Sequence, residues 1–305
     1  MIAFKDITLQ DRDTITAYTL NSPRRNCDLS FSNLCSWRFL YDTQFAIVDN
    51  FLVFKFWAGE KLAYMMPVGS GDLEKVLKEL IEDARSERQP FCMLGACSCM
   101  RGELENLLPG QFDFTADRDY ADYIYLHTDL ATLKGKKFQS KRNHINKFRN
   151  TYPDYEYAAI TPDRIQECLE LEAEWCKANN CDQQEGTGNE RRALIYALHH
   201  FDALGLTGGI LRANGKIVAF TFGMPINNDT FGVHVEKADT SIDGAYAMIN
   251  YEFANHIPEQ YTYINREEDL GIEGLRKAKL SYQPEIILEK YMVCLHEQPI
   301  DMIKW

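Results

Sequence analysis

Just past a short run of alternating aromatic and β-branched residues, Tyr261 to Ile264, the chain places Asn265, Arg266, Glu267, Glu268 and Asp269 in succession. An amide, a guanidinium and three carboxylates in five positions could orient a substrate, hold an anion or oxyanion, and accept a proton. Gly271 breaks the run, and Arg276, Lys277 and Lys279 follow on a helix expected over about 272–281. A dense polar cluster at the carboxyl end of a strand is a usual ligand position in an open α/β sheet. The same residues also fit a solvated loop with surface pairs such as Glu273 and Lys277, four apart on a helix.

A second group lies on the stretch TFGVHVEKA. Strand alternation puts Gly232, His234 and Glu236 on one face and Phe231, Val233 and Val235 on the other. One apolar face and one face with an imidazole and a carboxylate suit a pocket wall, with His234 or Glu236 as general base. An ordinary strand with a solvent face gives the same pattern. The helix expected from Gly244 places Gly244 and Ala245 where backbone N–H groups could meet an anion. Asn143, Asn250 and Asn265 are candidate orienting residues. No cysteine sits in either group, so no nucleophile is assigned.

The third group is LKGKKFQSKRNHINKFRN, residues 133–150. It carries Lys134, Lys136, Lys137, Lys141, Arg142, Lys147 and Arg149 and no acid, while Phe138, Ile145 and Phe148 can pack inward. Such a stretch suggests phosphate recognition, by RNA or a phosphorylated small molecule. A solvated helix face is the bland alternative.

These groups sit in a chain of 305 residues with 33 basic and 45 acidic residues, a formal net charge of −12. That balance argues against a protein that coats nucleic acid or anionic membrane along its whole surface. Hydrophobic content of 45% and charged content of 26% are those of a soluble globular protein with room for two domains. No apolar run approaches the ~20 residues of a membrane span, and MIAFKDITLQDRD lacks the apolar core of a signal peptide. A cytoplasmic protein, or one peripheral to a membrane, is expected. Nine cysteines at irregular spacing, clustered only at Cys92, Cys97 and Cys99, point to reduced thiols and to no metal site.

The elements repeat. In the first half, helices over 10–20 and 31–41 precede strands at 44–49, 51–57 and 61–66. A helix over 72–87, a strand from Phe91, a helix over 98–108 and two more strands follow. From 154 the order begins again. A strand YEYAAI leads to a helix opened by Thr161 and Pro162, the loop NNCDQQEGTGN, and a helix over 189–203. Next come a hairpin turning at Asn214-Gly215, the strand TFGVHVEKA, the helix from Gly244, and a final strand EIILEKYMVCLH. This order is characteristic of the GCN5-related N-acetyltransferase (GNAT) fold. The expected class is α+β: tandem GNAT domains, each a mixed, mostly antiparallel sheet flanked by helices. Their expected bounds are 1–133 and 151–305, with a basic linker helix over 134–150. In that fold an acyl donor lies where the fourth and fifth strands splay. The doubly glycine-bearing loop of CoA-dependent acetyltransferases is not in the sequence, which leaves room for a different carrier.

KxxSKRNxINKF from Lys137, VHVEKA, GAYxxINxEFA and YINREEDLGxxGLRxAKxSYxP together resemble the C-terminal catalytic domain of phosphatidylglycerol lysyltransferases, over roughly 20–295. The resemblance implies a relation to the Fem-type peptidyl transferases, and an aminoacyl-tRNA donor whose aminoacyl group passes to a lipid or small-molecule acceptor, with no bound cofactor. Under that reading Lys141 and Arg142 contact tRNA, and Arg266, Arg276, Lys277 and Lys279 serve phosphate or oxyanion. Glu236, Glu267, Glu268 and Asp269 hold an amino group or act as base. The rival readings are a CoA-dependent N-acyltransferase on a small amine and a non-catalytic RNA- or metabolite-binding module.

Overall fold

The computed structural model describes residues 2–179 and 185–296, so part of the loop expected after Asn179 lies outside the described residues. The chain forms two compact units. Of the described residues, the first comprises 2–122, 268–276 and 287–296, the second 123–179, 185–267 and 277–286.

In the first unit, Gln44–Val48, Phe51–Ala58 and Lys61–Met65 form an antiparallel meander, and Cys92–Cys97 then adds parallel to Lys61–Met65. The helix Leu73–Ser86 between them starts where the Asp72 carboxylate accepts from Lys75 N at 3.0 Å, a side-chain N-cap. Its residues Val76, Leu77 and Leu80, at helical spacing, are buried in one core with Tyr64 and Met93 of the sheet and Phe91 just before its parallel strand. Lys55, the one charge in FLVFKFW, is buried and reaches Asp83 of that helix at 2.9 Å, so the strand keeps its apolar partners without orphaning an ammonium.

The second sheet runs Ile286–Leu288, Asp122–Leu126, Tyr263–Asn265, Thr230–Ala238, Lys216–Pro225, Thr207–Ala213, Glu156–Ala159. From Asp122–Leu126 to Glu156–Ala159, the pair Thr230–Ala238 and Tyr263–Asn265 is parallel and the other neighbours are antiparallel. Asn214 and Gly215 both have positive φ, as a two-residue hairpin turn requires. The helix Ala245–His256 covers one face, with Met248, Ile249 and Phe253 in a core that includes Phe231, Val233 and Ile264. The helix Gln139–Thr151, read in the sequence as a linker, belongs to this unit and buries Ile145 and Phe148 in the same core.

The strand anticipated at the end of the second half forms over Lys290–Leu295, but its partners are Cys92–Cys97 and Phe112–Ala116 of the first unit, antiparallel to both. Conversely, Asp122–Leu126, anticipated as the last strand of the first half, pairs with Tyr263–Asn265. Each sheet therefore takes a strand from the stretch of sequence that otherwise builds the other. Alternation reveals a strand but does not name its neighbour.

The expectation of reduced cysteines fails at one pair. Cys92 and Cys294 stand opposite each other in adjacent antiparallel strands, Cα atoms 4.4 Å apart, and are disulfide-bonded. Directly opposed residues in such a ladder have the Cα separation a disulfide needs. The two cysteines are 202 positions apart, so spacing in the sequence could not show it.

Candidate functional site

The decisive local feature is a bulge. Phe222 pairs with Val235 and Gly223 with Val233, so His234 is the extra residue on its strand. One inserted residue inverts the alternation that follows. Phe231 and Val233 pack against the helix Ala245–His256, and beyond the bulge Glu236 returns to that same face, its Oε2 accepting from Asn250 Nδ2 of the helix at 3.2 Å. The expectation that Glu236 shares a face with His234 and Gly232 is thereby corrected.

The parallel pairing with Tyr263–Asn265 covers three positions and ends at Gly232 opposite Asn265. Past that point Glu236 and Arg266 face each other, Arg266 Nη2 donating to Glu236 Oε1 at 3.0 Å. The guanidinium sits 5.7 Å from the ring centre of Tyr125 and 4.8 Å from that of Tyr282. Lys141 Nζ lies 3.9 Å from the Tyr282 ring centre. Aromatic faces attract cations, most strongly where water is excluded. Burial opposes the charge on Arg266, but Glu236 outweighs it and holds the guanidinium protonated. At Lys141 burial and the neighbouring Arg266 outweigh the opposing pull of Glu236 and bring its ammonium down to about 8. Among the described residues, Arg266 Nη1 and Asn250 Oδ1 are buried with no hydrogen-bond partner. A buried donor and a buried acceptor left open beside a fixed ion pair are what a polar substrate would satisfy.

The sequence matches the phosphatidylglycerol lysyltransferase C-terminal family over residues 21–294. The chain belongs to that family. It is similar, at 83% identity, to a conserved protein of unknown function from Bacteroides thetaiotaomicron, covering 97% of this chain and all of that one with a TM-score of 0.95. The fold is shared with the C-terminal domain of a putative lysylphosphatidylglycerol synthetase from Agrobacterium fabrum (13% identity, 95% and 92% of the chains, TM-score 0.65). It is shared too with FemX (10% identity, 95% and 97%, TM-score 0.60). With the likeness to a tandem GNAT protein from the clavulanic acid biosynthesis pathway (9% identity, 98% and 100%, TM-score 0.50), these bear out the GNAT-like and Fem-type architecture. A curated relative, an uncharacterized protein of Mycoplasmoides gallisepticum, is 28% identical over 177 residues, and the chain spans about half of that relative's length (55%).

In this lysyltransferase-family chain the polar run 265–269 divides. Asn265 Oδ1 accepts from Glu267 N at 2.7 Å and shapes the turn, in which Glu267 has φ +59°. His234 Nδ1 lies 2.7 Å from Glu267 Oε1. Gly232 leaves room for this ring, since a Cβ there would come within 3.0 Å of His234 Cε1. These residues lie in the second unit with Arg266. Glu268 and Asp269 belong to the first. Asp269 is fully buried, accepts from Arg276 Nε and Nη2 at 2.8 and 2.7 Å, and also takes the Gly271 amide at 2.9 Å. Arg276 in turn reaches Asp119 at 2.6 Å. Asp269 and Arg276 are a clamp on the loop, not groups facing a substrate.

Several other expected binding residues are also occupied. Lys279 is buried and donates to Arg266 O at 2.5 Å, while Lys277 is exposed. Arg142 donates to Leu133 O and Gly135 O and closes the loop before its own helix, and Asn143 pairs with Gln139 at 2.9 Å. The basic stretch is less bare than its sequence: Lys137 meets Asp129, Lys147 meets Asp243, and Arg149 meets Glu252. Gly244 has φ +84°, and a Cβ there would come within 2.6 Å of His144 O, so the helix start is pressed against the basic helix. Ala245 is buried and its amide donates to Ile242 O at 3.2 Å. An anion at that helix start is not what these two residues provide for.

Sequence reasoning missed Tyr125 and Tyr282, although Tyr282 lies in the SYxP motif. It also missed a cluster in the first unit. Lys290 Nζ is buried and lies 2.9 Å from Asp122 and 3.1 Å from Asp28, with Glu268 bonded to it as well. Glu268, Asp122 and Cys27 offer ligand atoms within 4.8 Å of one another, and the Lys290 ammonium stands among them. Burial, countered by Lys290 and assisted by the neighbouring carboxylates, raises the Asp122 carboxyl to about 7. Glu268 is thus tied to this core and not to the Arg266 site.

No helix of the described residues is long and apolar enough to cross a membrane.

Proposed function

We propose that the second unit transfers an aminoacyl group from an aminoacyl-tRNA to a hydroxyl of a lipid or small-molecule acceptor. Membership of the lysyltransferase family supports a transferase. The observation that carries the reading is the buried ion pair Arg266–Glu236 with Arg266 Nη1 and Asn250 Oδ1 left open beside it.

Ester exchange needs three things: a base for the acceptor hydroxyl, a donor for the oxyanion, and a grip on the aminoacyl group. Lys141, brought down to about 8, is the base. The acceptor oxygen attacks the ester carbonyl carbon as its proton passes to Lys141 Nζ. The carbonyl oxygen becomes an oxyanion, and Arg266 Nη1 donates to it. The bond to the ribose oxygen then breaks, and that oxygen takes the proton back from Lys141. Asn250 Oδ1 accepts from the amino group of the aminoacyl moiety, and the Glu236 carboxylate favours its positive charge. The remaining exposed bases of the stretch, Lys134 and Lys136, which precede the helix Gln139–Thr151, are left for phosphate contacts.

The test supplies the protein with bulk tRNA charged with radiolabelled amino acids and with phosphatidylglycerol vesicles or water-soluble polyols. Label is then followed into the organic phase or into new soluble esters. Label that stays on tRNA with every acceptor, together with a melting temperature raised by acyl-CoA, would replace this reading with the CoA-dependent one.

A further inference from the structure

The helix Ser98–Leu107 in the first unit has Cys97 as its N-cap residue and Cys99 in its first turn. The two sulfurs are 2.7 Å apart, well inside the contact distance of non-bonded sulfurs. Cys97 is buried and Cys99 is exposed, so one partner of the pair meets solvent and the other stands behind it. Forming the ~2.05 Å bond asks for a closing movement of less than about an ångström. Arg24 fixes a positive charge beside the pair. Its guanidinium is buried, held by Met66 O at 3.2 Å and Pro67 O at 2.5 Å, and meets Glu103 of the same helix at 3.4 Å.

We propose that Cys97 and Cys99 form a redox-active dithiol that is oxidised to an intramolecular disulfide by a low-molecular-weight disulfide. Cys99 is the attacking residue and Cys97 the resolving one. The Cys99 thiolate attacks one sulfur of the small disulfide. That S–S bond breaks, one small thiolate leaves, and a mixed disulfide forms on Cys99. Cys97 then gives its proton to solvent and attacks the Cys99 sulfur, expelling the second small thiolate. Two protein thiols lose two electrons, and one small disulfide becomes two small thiols.

The chemistry of each sulfur fits its part. The hydrogen bond from Cys97, with Arg24 adding to it against burial, brings the Cys99 thiol down to about 6. The same hydrogen bond, together with burial, pushes Cys97 up. Reactive cysteines sit at helix N-termini beside cations and within reach of solvent, whereas buried ones without those features are inert. Cys27, Cys35, Cys168 and Cys176 are buried. The pair belongs to the first unit, and the groups assigned to transfer belong to the second.

The full chain is titrated with glutathione disulfide, quenched in acid, alkylated and digested with trypsin. The readout is the peptide Gln89–Arg101, which stays linked through Cys92. The expected wild-type product lacks both alkyl groups at Cys97 and Cys99 and carries no glutathione. Cys97→Ser should stop at one glutathione on Cys99, and Cys99→Ser should leave Cys97 unmodified. A stable glutathione adduct on Cys99 in the wild-type chain, modification of Cys97 in Cys99→Ser, or no reaction at either position would each overturn the proposal. Unchanged far-UV circular dichroism of both variants guards against a folding defect.

Discussion

The Arg266 guanidinium spends one terminal nitrogen on Glu236, at 3.0 Å, and keeps the other buried without a partner. A structural ion pair is expected to satisfy every donor, because an unmet buried donor costs on the order of 1–3 kcal/mol. The open nitrogen is therefore the feature most directly tested. Arg266→Lys keeps the charge and removes the fork; it should lower transfer about 10²–10³-fold, the usual cost of one oxyanion donor, with a smaller change in KM. Equal activity in the variant would remove Arg266 from the chemistry. Pairing that change with Asp269→Ala is a poor test, since Asp269 is buried and holds Arg276 and the Gly271 amide.

Lys141 gives a pH signature. Its ammonium is brought from the usual 10.5 to about 8 by burial and Arg266. The neutral amine is the base, so the rate should rise up to about pH 8 and level off, and Lys141→Arg should abolish both the activity and the rise. Stability carries the same sign. Between about 8 and 10.5 the unfolded chain binds more protons than the folded one, so Lys141 makes unfolding costlier as pH rises through that window. Urea titrations at pH 7.5 and 9.5 on wild type and Lys141→Met would show the wild type gaining relative to the variant; parity would argue against a perturbed Lys141.

Lys290 is predicted to matter to the fold of the first unit alone. Its ammonium is the buried counter-charge for Asp28, Asp122 and Glu268. Lys290→Met leaves those carboxylates facing one another, and removing one partner from such a buried set costs about 3–5 kcal/mol. Denaturant melts read the loss. A variant within 1 kcal/mol of wild type would mean the cluster is hydrated.

The Cys92–Cys294 bond closes a long loop between positions 202 apart in the sequence. Cys92→Ser with Cys294→Ser should lower stability by roughly 2–5 kcal/mol relative to the oxidised wild type. Fully reduced wild type should match the variant; if reduction changes nothing, the pair is not bonded in solution.

Much of the local structure was written in periodicity and turn chemistry. The strand Thr230–Ala238 has the bounds its alternation implies, the Asn214-Gly215 turn is where the dipeptide places it, and the Gly244 break begins the helix that follows. These depend on neighbours a few residues apart, whose sterics and hydrogen bonds act locally. The motifs around YINREEDLG were enough to name the family.

Tertiary structure decided what faces what. A single extra residue at His234 turned Glu236 to the helix side, and no local pattern in TFGVHVEKA marks a bulge. The run 265–269 read as one polar cluster, yet the turn through Glu267 and Leu270, both at positive φ, gives Arg266 to one core and Asp269 to another. Lys141 and Tyr282, more than a hundred residues apart, meet because helix and loop pack on one sheet. Lys290 and Cys294 lie on a strand whose partner is chosen by burial on both faces, not by order in the chain. Residue type and spacing determined which groups were present; long-range packing determined which of them are left with an unmet bond.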